Sequence, residues 1–115
     1  MNKKEFGDLG EKIAADFIEG LGHTIVDTKF HCRRGEIDII SRYEDLLVFI
    51  EVKNRNRHSE EFDARFSIDK NKQNHIRECA RYFLHTHQNY CALQIRFDVI
   101  TIMDGKIDYI ENAFW

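Results

Sequence analysis

An α/β fold, one mixed β-sheet flanked by helices in the order αβββαββ, is predicted by three features of the sequence. Two segments carry apolar residues at helical spacing. Runs of β-forming residues follow one another across short polar turns. The second helical segment lies between the third and fourth runs, where it is long enough to carry a crossover.

Leu9, Ile13, Phe17 and Leu21, with Ala14 and Ile18 beside them, predict a first helix near 3–20, stopped by Gly20-Leu21-Gly22. His23 to Lys29 reads as a first strand, Gly35 to Ser41 as a second and Leu46 to Lys53 as a third. Arg42-Tyr43-Glu44-Asp45 forms the turn between the last two, so these connections predict an antiparallel meander. A polar loop of about residues 54–66 follows. Ile68, Ile76, Cys79, Ala80, Phe83 and Leu84 then mark a second amphipathic helix running to about His87. Leu93 to Ile102 is β-rich, Asp104-Gly105 is a hairpin signal, and Lys106 to Ile110 returns as the last strand. With no proline, no Gly/Ser-rich linker and no repeat, the 115 residues read as one domain spanning 1–115.

Composition narrows the function. An apolar fraction of 43% and an aromatic fraction of 12% are those of a folded globular protein. No stretch approaches the roughly 18 consecutive apolar residues of a membrane span, so no membrane association is expected. The N-terminal MNKKEFGDLGEK is charged and lacks an apolar core, so nothing in it argues for secretion. Cys32, Cys79 and Cys91 form an odd, widely spaced set, read as reduced thiols of a cytoplasmic protein, with Cys79 and Cys91 as small core residues. The net charge of −3 does not announce a nucleic-acid binder. The charge is uneven, however: His31 to Arg34, Lys53 to His58 and Lys70 to Lys72 are basic clusters, and a basic cleft in an acidic protein is consistent with them.

The stretch LLVFIEVK, residues 46–53, carries the chemistry. Leu46 to Ile50 reads as a strand buried on both faces, yet the run ends in Glu51-Val52-Lys53. Strand alternation puts Glu51 and Lys53 on one face. Asp38 interrupts the apolar run Ile37 to Ile40 on the preceding strand, and a short hairpin would bring it to Glu51 beside Lys53. Two adjacent carboxylates repel unless a proton or a divalent cation neutralises them. Oxygen ligands with open water positions suit Mg2+ or Mn2+, and a neighbouring lysine can hold the attacking water or stabilise developing negative charge. The chemistry this pattern points to is metal-assisted phosphodiester hydrolysis. An isolated Glu-x-Lys at a strand end is more often a solvated pair, and it is Asp38 on the adjoining strand that makes the set more specific.

Gly7 to Ala14, Gly35-Glu36-Ile37-Asp38, Phe49 to Arg55, Lys72-Gln73, Arg96 to Val99 and Asn112-Ala113-Phe114 follow one another over nearly the whole chain, and in that order they resemble the successive signatures of the bacterial UPF0102 (YraN) family. The family is similar in turn to the PD-(D/E)XK nuclease superfamily, notably archaeal Holliday-junction resolvases, so the resemblance implies a restriction-endonuclease-like core. It also implies Glu11 as a helix-borne acid, Asp38 and Glu51 as metal ligands, Lys53 as the catalytic lysine, and Gln73 or Lys72 as an auxiliary group. The expected cofactor is Mg2+ or Mn2+ and the expected partner is DNA, branched or otherwise structured DNA included. A homodimer is expected if the chain acts as a junction resolvase, which needs two active sites. Arg55, Lys72 and Gln73 are the candidate nucleic-acid contacts. One departure from the family pattern is the acidic stretch Glu60 to Phe66, where a substrate strand would pass.

Other residues admit plainer readings. Asp8-x-x-Glu11 also matches a capping box, which leaves Glu11 open between cap and site on sequence alone. Glu36 is expected to orient Arg33, Arg34 or nearby backbone, with direct ligation as its second reading. Arg96 and Asp98 read as a structural salt link, and His31 and His85-Thr86-His87 lack the ligand spacing of a zinc site. The rival functional reading is a non-catalytic nucleic-acid- or protein-binding module that keeps the nuclease fold.

Overall fold

The computed structural model describes residues 1–56 and 68–115. The expected acidic stretch Glu60 to Phe66, the residues Arg57 and His58 of one basic cluster and most of the expected polar loop lie outside the described residues. Within them run α1 (Lys3–Gly20), β1 (Thr24–Cys32), β2 (Gly35–Tyr43), β3 (Leu46–Arg55), α2 (Lys70–Thr86), a short 3₁₀ helix (Gln88–Tyr90), β4 (Gln94–Met103) and β5 (Lys106–Phe114). The strands form one sheet in spatial order β1-β2-β3-β4-β5, antiparallel throughout except for the parallel β3–β4 pair, whose crossover contains α2. This is the mixed α/β sheet that the sequence predicts. The described helices are too short or too polar to cross a membrane.

One apolar layer lies on each side of the sheet. Ala14 and Ile18 of α1 pack with Ile39, Val48, Ile50, Ile100 and Ile102. On the opposite face Ile76, Cys79, Ala80 and Phe83 of α2 pack with Ile37, Ile40, Leu47, Phe49, Phe97 and Val99. Strict alternation along β3 and β4 supplies both layers, and each fully buried aliphatic or aromatic side chain stabilises the fold by about 1.5–3 kcal/mol. β2 breaks the alternation. Ile37 and Ile39 belong to opposite layers, so the strand turns over at Asp38, and Lys29, opposite it on β1, has a left-handed backbone at φ 51.

Several local readings need correction. The side chain of Asn2, not Asp8, caps α1 by accepting the Glu5 amide at 2.8 Å, so Asp8 and Glu11 lie inside the helix and the capping-box reading fails. β1 runs to Cys32 rather than Lys29, and β5 runs to Phe114 rather than Ile110. Ile68 is buried but precedes α2, whose N-cap is Asp69, accepting from the Lys72 amide at 2.8 Å.

The cysteines are the clearest correction. Cys32 and Cys79 form a disulfide with their Cα atoms 5.4 Å apart, and only Cys91 is a free, exposed thiol among the described residues, so the reading of three reduced thiols does not hold. The sequence separation of 47 conceals a pairing that the packing of α2 on the first hairpin creates. In the chain-entropy account, closing a loop of that length stabilises the fold by about 4 kcal/mol.

Candidate metal centre

Close backbone approach places Glu11. A Cβ at Gly10 would lie 2.6 Å from the Asn54 Cβ, so only glycine lets α1 settle this near to β3. The Asn54 Nδ2 donates to the Phe6 carbonyl at 2.8 Å and fixes the same contact. Glu11, one residue on, is thereby turned towards the point where β2 and β3 separate.

That separation has an electrostatic cause. The β2–β3 ladder runs from Tyr43↔Leu46 to Ile39↔Ile50 and stops. The next pair in register would set Asp38 directly opposite Glu51, and like charges facing one another across strands are destabilising. Instead the Val52 amide donates to the Asp38 Oδ2 at 2.8 Å, so a side chain takes the place of the next backbone partner. The tip of the first hairpin splays from the sheet and opens a cleft between α1, β2 and β3.

Glu11, Glu36 and Asp38 each direct one carboxylate oxygen into this cleft, and the three oxygens lie within 4.8 Å of one another. Glu36 therefore stands with the acids rather than with Arg33 or Arg34; its other neighbour is the His31 Nδ1, 3.5 Å away. Arg34 pairs instead with Glu78 at 3.3 Å. Burial, followed by the charge of Glu51, pushes Asp38 up to about 7, with the Val52 amide opposing the shift. Burial also raises Glu11, against the hydrogen bond from Lys29. Lys29 sits on this side of the cleft, with its Nζ 2.7 Å from Asp8 Oδ1 and 3.0 Å from Glu11 Oε1.

Glu51 reaches the cleft from the α2 face. It is buried, and its Oε1 has Lys72 Nζ at 3.4 Å and Lys53 Nζ at 3.8 Å. Lys72 is brought in by the first turn of α2, and Lys53 by alternation along β3. Glu51 Oε2 is a buried oxygen with no hydrogen-bond partner among the described residues. Asp38 is pushed up to about 7 by burial, by the charge of Glu51 and by a hydrogen bond between the two side chains, so the pair is one that a shared proton or a divalent cation would neutralise. An all-oxygen donor set suits a hard divalent cation such as Mg2+ or Mn2+.

The structure thus brings Glu11, Asp38, Glu51, Lys53 and Lys72 together and adds Glu36 and Lys29. It does not bring in Gln73, whose Nε2 donates to the Ile68 carbonyl at 3.1 Å and whose Oε1 accepts from Arg77, so that side chain braces the start of α2. Arg55 lies at the cleft's outer end, its Nη1 donating to the Asn54 carbonyl at 3.0 Å. Lys29 escaped sequence reasoning because its reach depends on a left-handed bend that no local signal marks.

Arg96 and Asp98 lie outside the cleft. Arg96 clamps the fully buried Asp98 at 2.9 and 2.8 Å, and Tyr109 and the Asn112 amide also donate to it, which makes the group a satisfied structural network.

The model of the uncharacterised protein family UPF0102 matches residues 10–102. Among similar proteins, a UPF0102 protein of Caldicellulosiruptor bescii is 40% identical over 99% of this chain and 100% of its own length. One from Thermodesulfovibrio yellowstonii is 38% identical with both chains covered fully, and one from Alcanivorax borkumensis is 37% identical over 99% of this chain and 94% of the relative.

Proposed function

This chain belongs to the uncharacterised protein family UPF0102, and from that premise we propose that it is a metal-dependent nuclease hydrolysing phosphodiester bonds in DNA. The observation that carries the reading is the Asp38 carboxyl, pushed up to about 7 by burial and by the charge of Glu51 and held by the Val52 amide, with Lys53 and Lys72 both against Glu51. Such perturbed groups concentrate at functional sites.

Asp38 and Glu51 would hold the ion, with Glu11 and Glu36 within reach of Asp38. When bound, a divalent cation lowers the pKa of a coordinated water and polarises the phosphate. Lys53 sets its Nζ 3.8 Å from Glu51 in a half-dry setting, where it can hold the attacking water or stabilise the extra negative charge of the transition state. Lys72 offers a second ammonium on the same carboxylate, suited to a neighbouring phosphate. Lys29 donates to Glu11 and opposes the burial that raises its pKa.

A second reading, a nucleic-acid- or protein-binding module on the same fold, draws support from the net charge of −3 and from the pairing of Lys29 and Lys72 with carboxylates. Incubation with linear, branched and single-stranded DNA in Mg2+ or Mn2+ separates the two. The nuclease reading expects at least one substrate to be cut, and Lys53→Ala to lower the rate by about 100–1,000-fold without unfolding the domain. Intact substrates across the whole panel in both metals would hand the case to the binding module.

A further inference from the structure

The hairpin tip that carries two of the clustered acids has little sheet to hold it. Because the β2–β3 ladder ends at Ile39↔Ile50, residues Gly35 to Asp38 have strand partners on β1 alone, and they are tied to β3 by the side-chain bond from the Val52 amide to Asp38. On the other side the tip leans on α2: Phe30 stacks edge-on against Phe83 at 5.2 Å, Arg34 pairs with Glu78, and the Cys32–Cys79 bond joins the two covalently. Cys32 ends β1, three residues before β2 begins. The chain between the bonded cysteines contains Glu36, Asp38, Glu51, Lys53 and Lys72, every acid and lysine gathered at the cleft except those of α1 and β1.

The bond is also approachable. Cys79 is fully buried, but Cys32 lines an open surface pocket together with His31, Arg33, Arg34, Glu78 and Tyr82. Of the two bonded cysteines, Cys32 is the one a dithiol in this pocket would meet.

We propose that Cys32–Cys79 is a thiol–disulfide exchange site for a dithiol reductant, and that its oxidation state sets the order of the hairpin tip and hence the geometry of Glu36 and Asp38. In the exchange, one thiolate of the reductant attacks Cys32 Sγ, the S–S bond breaks, and Cys79 leaves as a thiolate that takes up a proton. The second thiol of the reductant then attacks the mixed disulfide, closes the reductant's own disulfide and releases Cys32, which is protonated in turn. Two electrons and two protons pass from the dithiol to the protein. Oxidised, the tip is pinned to α2. Reduced, it loses its covalent link to α2 and is held by the β1 pairing, the Val52–Asp38 hydrogen bond, the packing of Phe30 and Ile37 on α2 and the Arg34–Glu78 pair, all of them reversible contacts, so it opens locally more often while the β3–β4 centre stays closed.

The pinning is a property of the fold; only its consequence for metal binding rests on the nuclease reading. Alkylation should label Cys91 alone in the oxidised full-length chain and all three cysteines after dithiothreitol treatment. Amide exchange followed by mass spectrometry should then show residues 30–38 exchanging roughly tenfold faster or more in the reduced chain, with β3 and β4 unchanged. The Mn2+-induced rise in melting temperature should shrink on reduction. Cys32→Ala/Cys79→Ala, treated with no reductant, should behave as the reduced protein does. A bond that dithiothreitol cannot open, unchanged exchange at 30–38, or loss of protection throughout the domain would each overturn the proposal. Faster exchange at the tip with no Mn2+ shift in either state would leave the exchange site standing and sink the metal reading.

Discussion

The Val52 amide donates to the Asp38 carboxylate at 2.8 Å, at the point where the β2–β3 ladder would otherwise set Asp38 against Glu51. A strand pairing is given up so that two acids can approach from different directions, and this single hydrogen bond both opens the cleft and orients its central carboxyl. Such a site should cost the folded state something until a cation enters, and the first two predictions measure that cost.

Asp38 has a folded pKa of about 7 against an ordinary value of 3.8. Between those values the folded state holds a proton that the unfolded chain has released, so stability falls as pH rises through the window and the full penalty is present above it. Metal-free protein should lose on the order of 2–4 kcal/mol from pH 4 to pH 7 that Asp38→Asn does not lose. Urea melts across that range read the difference; parallel pH profiles in the two proteins would remove Asp38 from the account.

Glu51→Gln preserves shape and removes one of the repelling charges. Without metal it should melt no lower than wild type, the lost Lys53 and Lys72 pairs being offset by relief of the Asp38 repulsion. With Mn2+ at a hundredfold excess over its dissociation constant, wild type should gain about 2.7 kcal/mol and the variant little of it. Equal metal shifts would mean that Glu51 is not a ligand.

Gly10 and Gly7 lie on the same helix but should respond oppositely to alanine. At Gly10 the new Cβ would meet the Asn54 Cβ at 2.6 Å, pushing α1 from β3 at a cost of about 1–3 kcal/mol and carrying Glu11 out of position. A Cβ at Gly7 meets nothing within 4 Å, so Gly7→Ala should stabilise by about 0.5–1 kcal/mol through helix propensity alone. Thermal melts of the pair test whether close approach, rather than helix formation, places the acid.

If DNA binds along the cleft, Arg55→Ala and Lys72→Ala should each make the dependence of log affinity on log salt shallower by about one unit. Gln73→Ala should leave that slope unchanged and instead lower stability by about 1 kcal/mol, because its amide braces the Ile68 carbonyl. A salt slope that moves with Gln73 and not with Lys72 would reverse the assignment.

Much of the architecture was legible because it rests on local periodicity. The two apolar faces of β3 follow from Leu46 to Ile50, the two helices from their apolar spacing, and the parallel β3–β4 pair from the length of the segment between them. Glu51 and Lys53 share a face for the same reason, since alternation is a property of the strand itself. Less legible was anything that depends on how far a side chain reaches. Glu36 was expected to serve the arginines and instead meets Glu11 from a distant helix, while Gln73 was expected to serve the site and is turned to Ile68 and Arg77 by the way α2 begins.

The sequence by itself determined the order of the elements, the buried sheet and the placing of Asp38, Glu51 and Lys53 on adjoining strands, because short-range sterics and burial act on residues a few positions apart. Only the tertiary structure decided that β2 turns over at Asp38, that Lys29 rests on Glu11, and that Cys32 meets Cys79. These depend on two like charges that cannot face each other across a ladder, on a backbone bend at positive φ, and on a helix packing over a hairpin 47 residues away. None of those forces acts between neighbours in the chain, so none leaves a local trace in it.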